Sequence, residues 1–293
     1  MKWGIVFAST GFPDPDGAIA LAQAAEAAGF ESLWCPEHVV MSRAADATPY
    51  RGMPDGKMDR LARRGGIPDP LIWLAFAAAA TSTIRLGTNV LVLPEHQPVV
   101  FAKAAATLDH LSKGRLLLGV GVGELPEEYE ACGMEFTNRG RRMDEYLEAI
   151  SLLWGEDVAS FEGEFVHFEQ MECRPWPVDR TIPLHIGGNS EAAYRRTARF
   201  GSGYFPFIFP DEDVTEALPR AIDRARSATE ASGRDPDSIE ITSGGARTVA
   251  EAEWYASVGV HRIGVPVRAR SVEEMRDELG RFGDEVIANT LDL

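Results

Sequence analysis

The chain has 293 residues, of which 45% are hydrophobic and 25% are charged, a balance that supports a large globular core. Acidic residues outnumber basic ones by 45 to 29, and the net charge of −16 argues against nucleic acid as a partner. The three cysteines are too few and too scattered for a disulfide framework, and the most apolar run, LIWLAFAAAATSTI, is too short to cross a bilayer.

Apolar, β-rich runs alternate with helical patterns along the chain. The N-terminus, MKWGIVFAS, lacks the length and cleavage site of a signal peptide, so we expect a cytoplasmic protein that does not contact a membrane. In chain order, the first part of the sequence predicts strand Trp3–Ser9, helix Asp16–Ala28, strand Ser32–His38, helix Leu71–Ala80, strand Ile84–Leu93, helix Val99–Leu111 and strand Arg115–Gly123.

The second part begins with a helix and an irregular segment before the alternation resumes. Within that segment, ASFEGEFVHFEQ predicts a hairpin with its turn at Glu162–Gly163. The regular elements predicted here are helix Arg141–Trp154, strand Pro183–Gly188, helix Glu191–Phe200, strand Gly203–Ile208, helix Glu212–Ser232, strand Ser238–Ala246, helix Ala250–Val258, strand Arg262–Val267 and helix Val272–Leu291.

This series gives about eight strands, each followed by a helix. Strands that are apolar on both faces indicate a parallel sheet that is buried on both sides. We therefore predict a single α/β domain over residues 1–293, a (β/α)8 TIM barrel with insertions at about 39–70 and 155–183. A doubly wound open sheet is the alternative.

The stretch RLLLGVGVGE runs from an apolar strand into alternating glycines. A dinucleotide-binding G-x-G-x-x-G turn that starts at Gly119 requires a third glycine where this chain has Glu124, so that interpretation fails. Barrel active sites lie at the carboxyl ends of the strands. We therefore interpret Gly121 and Gly123 as a strand end approached by a flat ligand, with Glu124 projecting into the mouth.

Two further strand ends carry candidate site residues. Glu37 and His38 follow the second strand, and an imidazole that titrates near neutrality suits general acid or base chemistry. The alternative for them is a surface pair that caps the following loop. After the fifth strand, GGNS precedes a helix, and its backbone N–H groups and helix dipole suit an anion, although an ordinary capped turn has the same pattern.

The acidic residues that follow the glycine run offer a further possibility. Glu124, Glu127 and Glu128 could ligate a metal, but the last two fit better as the charged first turn of a short helix. No CxxC or HxxxH pattern is present. We therefore predict no metal site.

Four blocks of the sequence together resemble the bacterial luciferase-like flavin oxidoreductases, especially the branch that uses coenzyme F420. They are AEAAGFESLWCPEHV, TSTIRLGTNVLVLPEHQPVVFAKAAATLDHLSKGRLLLGVGVGE, NRGRRMDEYLEAISLLW and IPLHIGGNSEAAYRRTARFGSGYF. The likeness covers nearly the whole chain in the expected order. It implies a (β/α)8 barrel with a flavin or deazaflavin across the strand ends.

The resemblance also assigns expected roles to individual residues. It places Glu37 and His38 against the deazaflavin, a non-proline cis peptide at Asn89–Val90 behind the ring, and a proton donor at Glu124. It matches Gly187, Gly188, Asn189 and Ser190 to the phosphate turn. Two positions depart from the pattern: His96–Gln97 replaces an Arg-His pair common in the branch, and Glu124 stands where many relatives have tryptophan.

The resemblance implies an F420-dependent oxidoreductase that moves a hydride between the deazaflavin C5 and a small organic substrate, with His38 and Glu124 exchanging protons. The acidic tail of F420 would meet basic residues near the mouth, for which the candidates are Arg43, Arg51, Lys57, Arg60, Arg63 and Arg64. The alternatives are a two-component monooxygenase that takes reduced FMN from a separate reductase, and a non-catalytic flavin-binding protein. A homodimer is expected in each case.

Overall fold

The computed structural model describes residues 1–42 and 66–293. Its strands are β1 (Lys2–Val6), β2 (Ser32–Cys35), β3 (Arg85–Thr88), β4 (Leu91–Val92), β5 (Leu116–Gly121), β6 (Ala159–Glu162), β7 (His167–Met171), β8 (Leu184–Gly187), β9 (Gly203–Phe205), β10 (Glu240–Gly244) and β11 (Arg262–Pro266). Its helices are α1 (Ala8–Gly11), α2 (Pro15–Ala27), α3 (Pro70–Ala80), α4 (Pro98–Ser112), α5 (Pro126–Ala131), α6 (Arg139–Gly155), α7 (Glu191–Phe200), α8 (Val214–Ala231), α9 (Val249–Ser257) and α10 (Val272–Phe282).

The parallel strands close into a barrel, which confirms the predicted fold class and excludes the open sheet. The wall runs β1, β2, β3, β5, β8, β9, β10, β11 and back to β1. Closure depends on the third position, where β3 pairs with the start of β5 and β4 pairs with its end. One wall position is therefore shared by two short strands.

The prediction of a single third strand over Ile84–Leu93 was therefore wrong, because two short strands, β3 and β4, occupy that place in the wall. The Asn89–Val90 peptide bond is cis, the conformation implied by the resemblance, and it separates β3 from β4. A second correction concerns the last helix, predicted to run to Leu291. Here α10 ends at Phe282, and a π-helical turn follows over Gly283–Ile287, where the backbone passes so close to the carbonyl of Ala28 that a side chain would not fit.

The helix boundaries follow from local capping chemistry. Proline occupies one of the first two positions of α2, α3, α4 and α5, where its missing N–H costs no hydrogen bond. A side-chain oxygen accepts from a backbone N–H in the first turn of most longer helices, supplied by Asp14, Asp69, Gln97, Ser190, Asp213, Thr248 and Ser271.

The barrel interior is filled by Trp34, which is fully buried. Its Nε1 donates to Ser32 Oγ at 2.8 Å, and its ring meets those of His185 and Phe205 edge-on. Gly87 has no room for a side chain, because a Cβ there would overlap the Trp34 ring. Burial lowers the pKa of His185 to about 3, so this imidazole is neutral. The barrel is thus closed beneath its carboxyl-terminal mouth.

The segment 155–183 contains the predicted hairpin. Strands β6 and β7 pair antiparallel, although the connection between them spans 163–166 rather than the predicted two-residue turn. Glu145 on α6 accepts hydrogen bonds from the N–H groups of Glu164, Phe165 and Val166, so that connection is held against the barrel. In the part of the chain that the structure describes, no helix has the length and apolar character needed to span a membrane.

Candidate active site

A cavity of about 510 Å³ opens at the carboxyl ends of the barrel strands. Residues at the ends of β1, β2, β5, β8, β9 and β10 line it, together with Asn89 and Val90 between β3 and β4. Of the predicted site residues that the structure describes, all except Ser190 line the cavity, namely Glu37, His38, Asn89, Val90, Gly121, Gly123, Glu124, Gly187, Gly188 and Asn189. The topology therefore gathers these distant segments around one space.

An aromatic wall completes the cavity, and sequence reasoning did not single it out. Phe7 follows β1, while Phe205, Phe207 and Phe209 belong to the run GYFPFIFP at and after β9. The rings of Phe207 and Phe209 lie 4.9 Å apart in an edge-to-face arrangement. Such a wall suits a flat, apolar ring system. The spacing of the phenylalanines along the chain was the sequence signal that could have predicted this wall.

The floor of the cavity is Val90, and two glycines make room for it. A Cβ at Gly121 would lie 2.7 Å from one Val90 methyl, and a Cβ at Gly187 would lie 2.9 Å from the other. Both distances are shorter than any relaxed carbon contact. These glycines therefore serve first to seat Val90, which is a more specific role than the approach of a ligand to the backbone.

Asn89 carries a buried acceptor at the same place. Its Oδ1 atom is inaccessible to solvent and has no hydrogen-bond partner among the described residues. Buried polar atoms are nearly always paired, so an unpaired acceptor in a cavity wall fits a ligand that carries an N–H or O–H group. The chemistry of this wall thus fits a flavin or deazaflavin ring.

Glu37 lines the cavity, but its carboxylate is held inside the protein. Oε2 accepts from the N–H of Val92 at 2.7 Å, and His96 Nε2 lies 3.0 and 3.1 Å from the two oxygens. Although burial tends to lower the pKa of His96, the hydrogen bond to Glu37 and its charge raise it overall. Glu37 thereby fixes β4, and with it the position of Val90.

His38 is paired with a glutamate from another part of the barrel. Its Nδ1 lies 2.9 Å from Glu128 Oε2, and both side chains are at most 9% exposed. Glu128 Oε1 also accepts from the N–H of Val40 at 3.3 Å. The sequence predicted Glu127 and Glu128 as the charged first turn of a short helix, and α5 has both in its first turn. Glu128 is in addition buried.

A third carboxyl group, Glu95, completes a buried cluster with these two pairs. Neither of its oxygens has a hydrogen-bond partner among the described residues. Burial, and then the charges of Glu128 and Glu37, raise the pKa of Glu95 to about 9, so the group is protonated at neutral pH. Glu95 and the pairs Glu37–His96 and His38–Glu128 lie near the cavity. No local sequence pattern predicted that these side chains come together.

Side-chain hydrogen bonds fix the conformation of the turn after β8. Asn189 Oδ1 accepts from Tyr204 Oη and from the N–H of Phe207, and its Nδ2 donates to the Phe207 carbonyl. Ser190 is the N-cap of α7 and accepts from the N–H of Ala193 at 3.2 Å, which places it behind the cavity lining. Gly188, with a φ of 104°, joins strand to helix.

Glu124 lies at the mouth of the cavity and is exposed. The preceding Gly123 has a φ of 64°, a left-handed conformation that turns the chain out of β5. The acid and the imidazole of His38 therefore line one space from different strands. This arrangement can take up and release protons at a ring or substrate that lies between them.

Several predictions fall outside the described residues. The basic residues proposed for the F420 tail, and most of the insertion at about 39–70, lie within 43–65. Among the described residues that line the cavity, none is Lys or Arg. In the same described part of the chain, no group of three His, Cys, Asp or Glu side chains could hold a metal.

Comparison of the sequence and the structure with known proteins identifies the family of this chain. The model of the luciferase-like monooxygenase family matches residues 3–280. An uncharacterized protein of Mycobacterium tuberculosis is 34% identical over 251 residues, covering 85% of this chain and 84% of that protein. The F420-dependent glucose-6-phosphate dehydrogenase of Kineococcus radiotolerans is 31% identical over 223 residues, covering 74% of this chain and 59% of that protein.

A solved structure shares the fold. The crystal structure of monooxygenase RslO1 from Streptomyces bottropensis superposes with a TM-score of 0.78 at 21% identity, covering 98% of this chain and 99% of that one.

Proposed function

Because this chain is an enzyme of the luciferase-like monooxygenase family, we propose that it is an F420-dependent oxidoreductase acting on a small organic substrate. The observation that carries the proposal is the cavity at the strand ends, where the unpaired Asn89 acceptor and the Val90 floor line one space with His38 and Glu124. The likeness to an F420-dependent dehydrogenase supports the choice of cofactor.

The bound deazaflavin would supply the hydride chemistry at its C5 atom. Val90 and the phenylalanine wall would orient the ring, and Asn89 Oδ1 would accept a hydrogen bond from it. His38 and Glu124 would hold and move the protons that accompany hydride transfer. The apolar side chains of Val90 and the phenylalanine wall would also exclude water from the ring face that they cover.

Other parts of the chain would bind the phosphate and the acidic tail of the cofactor. The turn from Gly187 to Ser190, at the N-terminus of α7, would hold a phosphate through the backbone N–H groups of Asn189 and Ser190, because the N–H of Gly188 already donates to the Phe205 carbonyl. Since the described lining has no Lys or Arg, attraction for an acidic tail would have to come from the basic residues within 43–65, from Arg43 to Arg64. Salt should therefore weaken binding of F420 more than binding of FMN.

A second candidate function is an FMN-dependent monooxygenase that uses reduced flavin and O2, with a separate reductase as its partner. A described lining that is aromatic and holds no Lys or Arg favours it, because FMN lacks the acidic tail that requires cations. The non-catalytic alternative loses support because members of this family are enzymes.

The deciding experiment is titration of the purified protein with F420 and with FMN, each oxidised and reduced, followed by calorimetry or fluorescence. Micromolar or tighter binding of F420 with much weaker binding of FMN is expected. A preference for reduced FMN would overturn the F420 assignment and favour oxygen chemistry. Binding of neither would remove both functions.

We also propose that the protein is a homodimer. Helix α3 contains no charged residue, and Ile72 and Phe76 on it are 65% and 49% exposed. An exposed apolar helix face of this kind suits a two-fold contact with a second copy.

A further inference from the structure

We propose that Glu128 is a positioning residue for His38, which holds the proton of the neutral imidazole on Nδ1 and leaves Nε2 as the basic nitrogen. The catalytic consequence of this arrangement rests on the proposed function. The hydrogen bond itself is a property of the chain alone.

The geometry of the pair supports a directed contact rather than a chance surface ion pair. Glu128 Oε2 lies 2.9 Å from His38 Nδ1, and the side chains of Glu128 and His38 are 3% and 9% exposed. The second oxygen of Glu128 accepts from the N–H of Val40, so the carboxylate is fixed at both oxygens. A carboxylate only accepts hydrogen bonds, and it therefore requires a proton on Nδ1.

The distribution of donors separates Glu95 from the other two carboxyl groups of the cluster. Glu128 receives N–H from Val40 and His38, and Glu37 receives N–H from Val92 and the ring of His96. Glu95 receives none from the described residues. An ion without donors is far costlier to bury than one with two, so Glu95 keeps its own proton. Its raised pKa agrees with this assignment.

The consequence for His38 follows the logic of carboxylate–histidine pairs. When a ligand in the cavity gives a proton to His38, the ligand's bond to that proton breaks and the electron pair stays on the ligand. An N–H bond forms at His38 Nε2 from the nitrogen lone pair, so neither partner is oxidised or reduced. The resulting imidazolium faces the Glu128 carboxylate, which compensates its charge. Glu128 thus acts through His38 and needs no contact with the ligand.

Glu128→Gln tests the proposal, with Glu130→Gln as a matched control on the same helix, because Glu130 is exposed. The primary readout is the ¹⁵N spectrum of the histidine rings in the ligand-free protein, with the His38 signals assigned by their loss in His38→Asn. Wild type and Glu130→Gln should show the proton on Nδ1. Glu128→Gln should shift it to Nε2, because the Gln amide can donate to Nδ1.

Turnover provides the second readout. With the cofactor bound, Glu128→Gln should lower kcat by roughly 10²–10⁴, as expected for the wrong imidazole tautomer, while the cofactor Kd stays unchanged. Glu128→Asp, which keeps the carboxylate, should retain the proton on Nδ1 and recover part of kcat. It also serves as the test variant if Glu128→Gln does not fold.

An unchanged His38 spectrum in Glu128→Gln, or a proton on Nε2 in the wild type, would overturn the inference. The spectrum is recorded without ligand, so the two proposals fail separately. A tautomer that shifts as expected in a protein that binds neither F420 nor FMN would refute the proposed function and leave the positioning role intact.

Discussion

His38 and Glu124 follow different strands, yet both line one cavity, and each can be tested alone. Replacement by His38→Asn or Glu124→Gln keeps the side chain's size and removes its acid–base chemistry. We expect each to lower kcat by roughly 10²–10⁴ with little change in cofactor affinity. Stopped-flow kinetics of cofactor oxidation or reduction, together with binding titrations, measure the two effects separately.

Glu130→Gln again provides the control, since it removes one carboxylate from an exposed position outside the cavity. If Glu124→Gln retains wild-type kcat, Glu124 is only a polar side chain at the mouth and donates no proton. If either change acts on affinity alone, the residue binds the ring and moves no proton.

Glu95 should make the protein less stable as the pH rises. Its pKa in the folded protein is about 9 against about 4.5 in an unfolded chain, so between these values the folded state binds the additional proton. Stability then falls with rising pH, by up to about 1.4 kcal/mol per unit. Glu95→Gln should remove this slope, as urea unfolding from about pH 6 to about pH 8 would show.

His96 contributes a slope of the same sign, because its pKa is also raised and its stabilising charge is lost as the pH rises. The difference between wild type and Glu95→Gln isolates the part due to Glu95. Glu130→Gln should keep the wild-type slope. Equal slopes in Glu95→Gln and wild type would mean that Glu95 is ionised in the folded protein.

Among the structural elements, the junction of β4, β5 and β8 depends on glycines, which leave room for the Val90 side chain. Gly121→Ala would place a methyl group 2.7 Å from Val90 and push this side chain into the cavity. We expect a loss of about 1–3 kcal/mol in the free energy of unfolding and weaker binding of F420 and FMN alike. Urea unfolding and titration measure these effects.

Gly11→Ala is the matched control, because no atom lies within 4 Å of a Cβ at that position. It should leave both stability and binding nearly unchanged. Normal cofactor affinity in Gly121→Ala would show that Val90 does not seat the ring.

The elements also show which parts of the structure the sequence could predict. Helix α7 was predicted with its observed bounds, because the Ser190 cap is a local signal. The break between β3 and β4 has no local sequence signal, since it depends on Glu37, which follows β2, and on glycines of β5 and β8. Glu128 was predicted as a first-turn residue of a short helix, but its pairing with His38 was not, because the two residues lie 90 positions apart in the chain.

At the scale of the whole molecule, the order of strands and helices was enough to predict the closed barrel and the position of the cavity. The orientation of individual side chains was not predictable. The resemblance implies that Glu37 lies against the ring, and Glu37 lines the cavity, but its pairing with the N–H of Val92 and with His96 had no local signal. Which acids face the cavity is decided by contacts between neighbouring strands that are distant in the chain.

The charge of the whole molecule bears on its assembly. Two copies that each carry a net charge of −16 repel one another, so an apolar contact should form where acidic residues are absent. Helix α3 meets that condition, with Ile72 and Phe76 exposed. We expect light scattering to give the mass of a dimer, and Phe76→Glu to give a monomer, because the substitution buries a charge opposite its own copy.

Added salt should strengthen the wild-type dimer, because it screens the repulsion between the copies and leaves an apolar contact intact. Val158→Glu is the matched control, since Val158 is an exposed apolar residue outside α3 and its replacement adds the same charge. It should remain dimeric. A wild-type monomer, or a dimer that persists in Phe76→Glu, would show that the uncharged face of α3 is not the contact between copies.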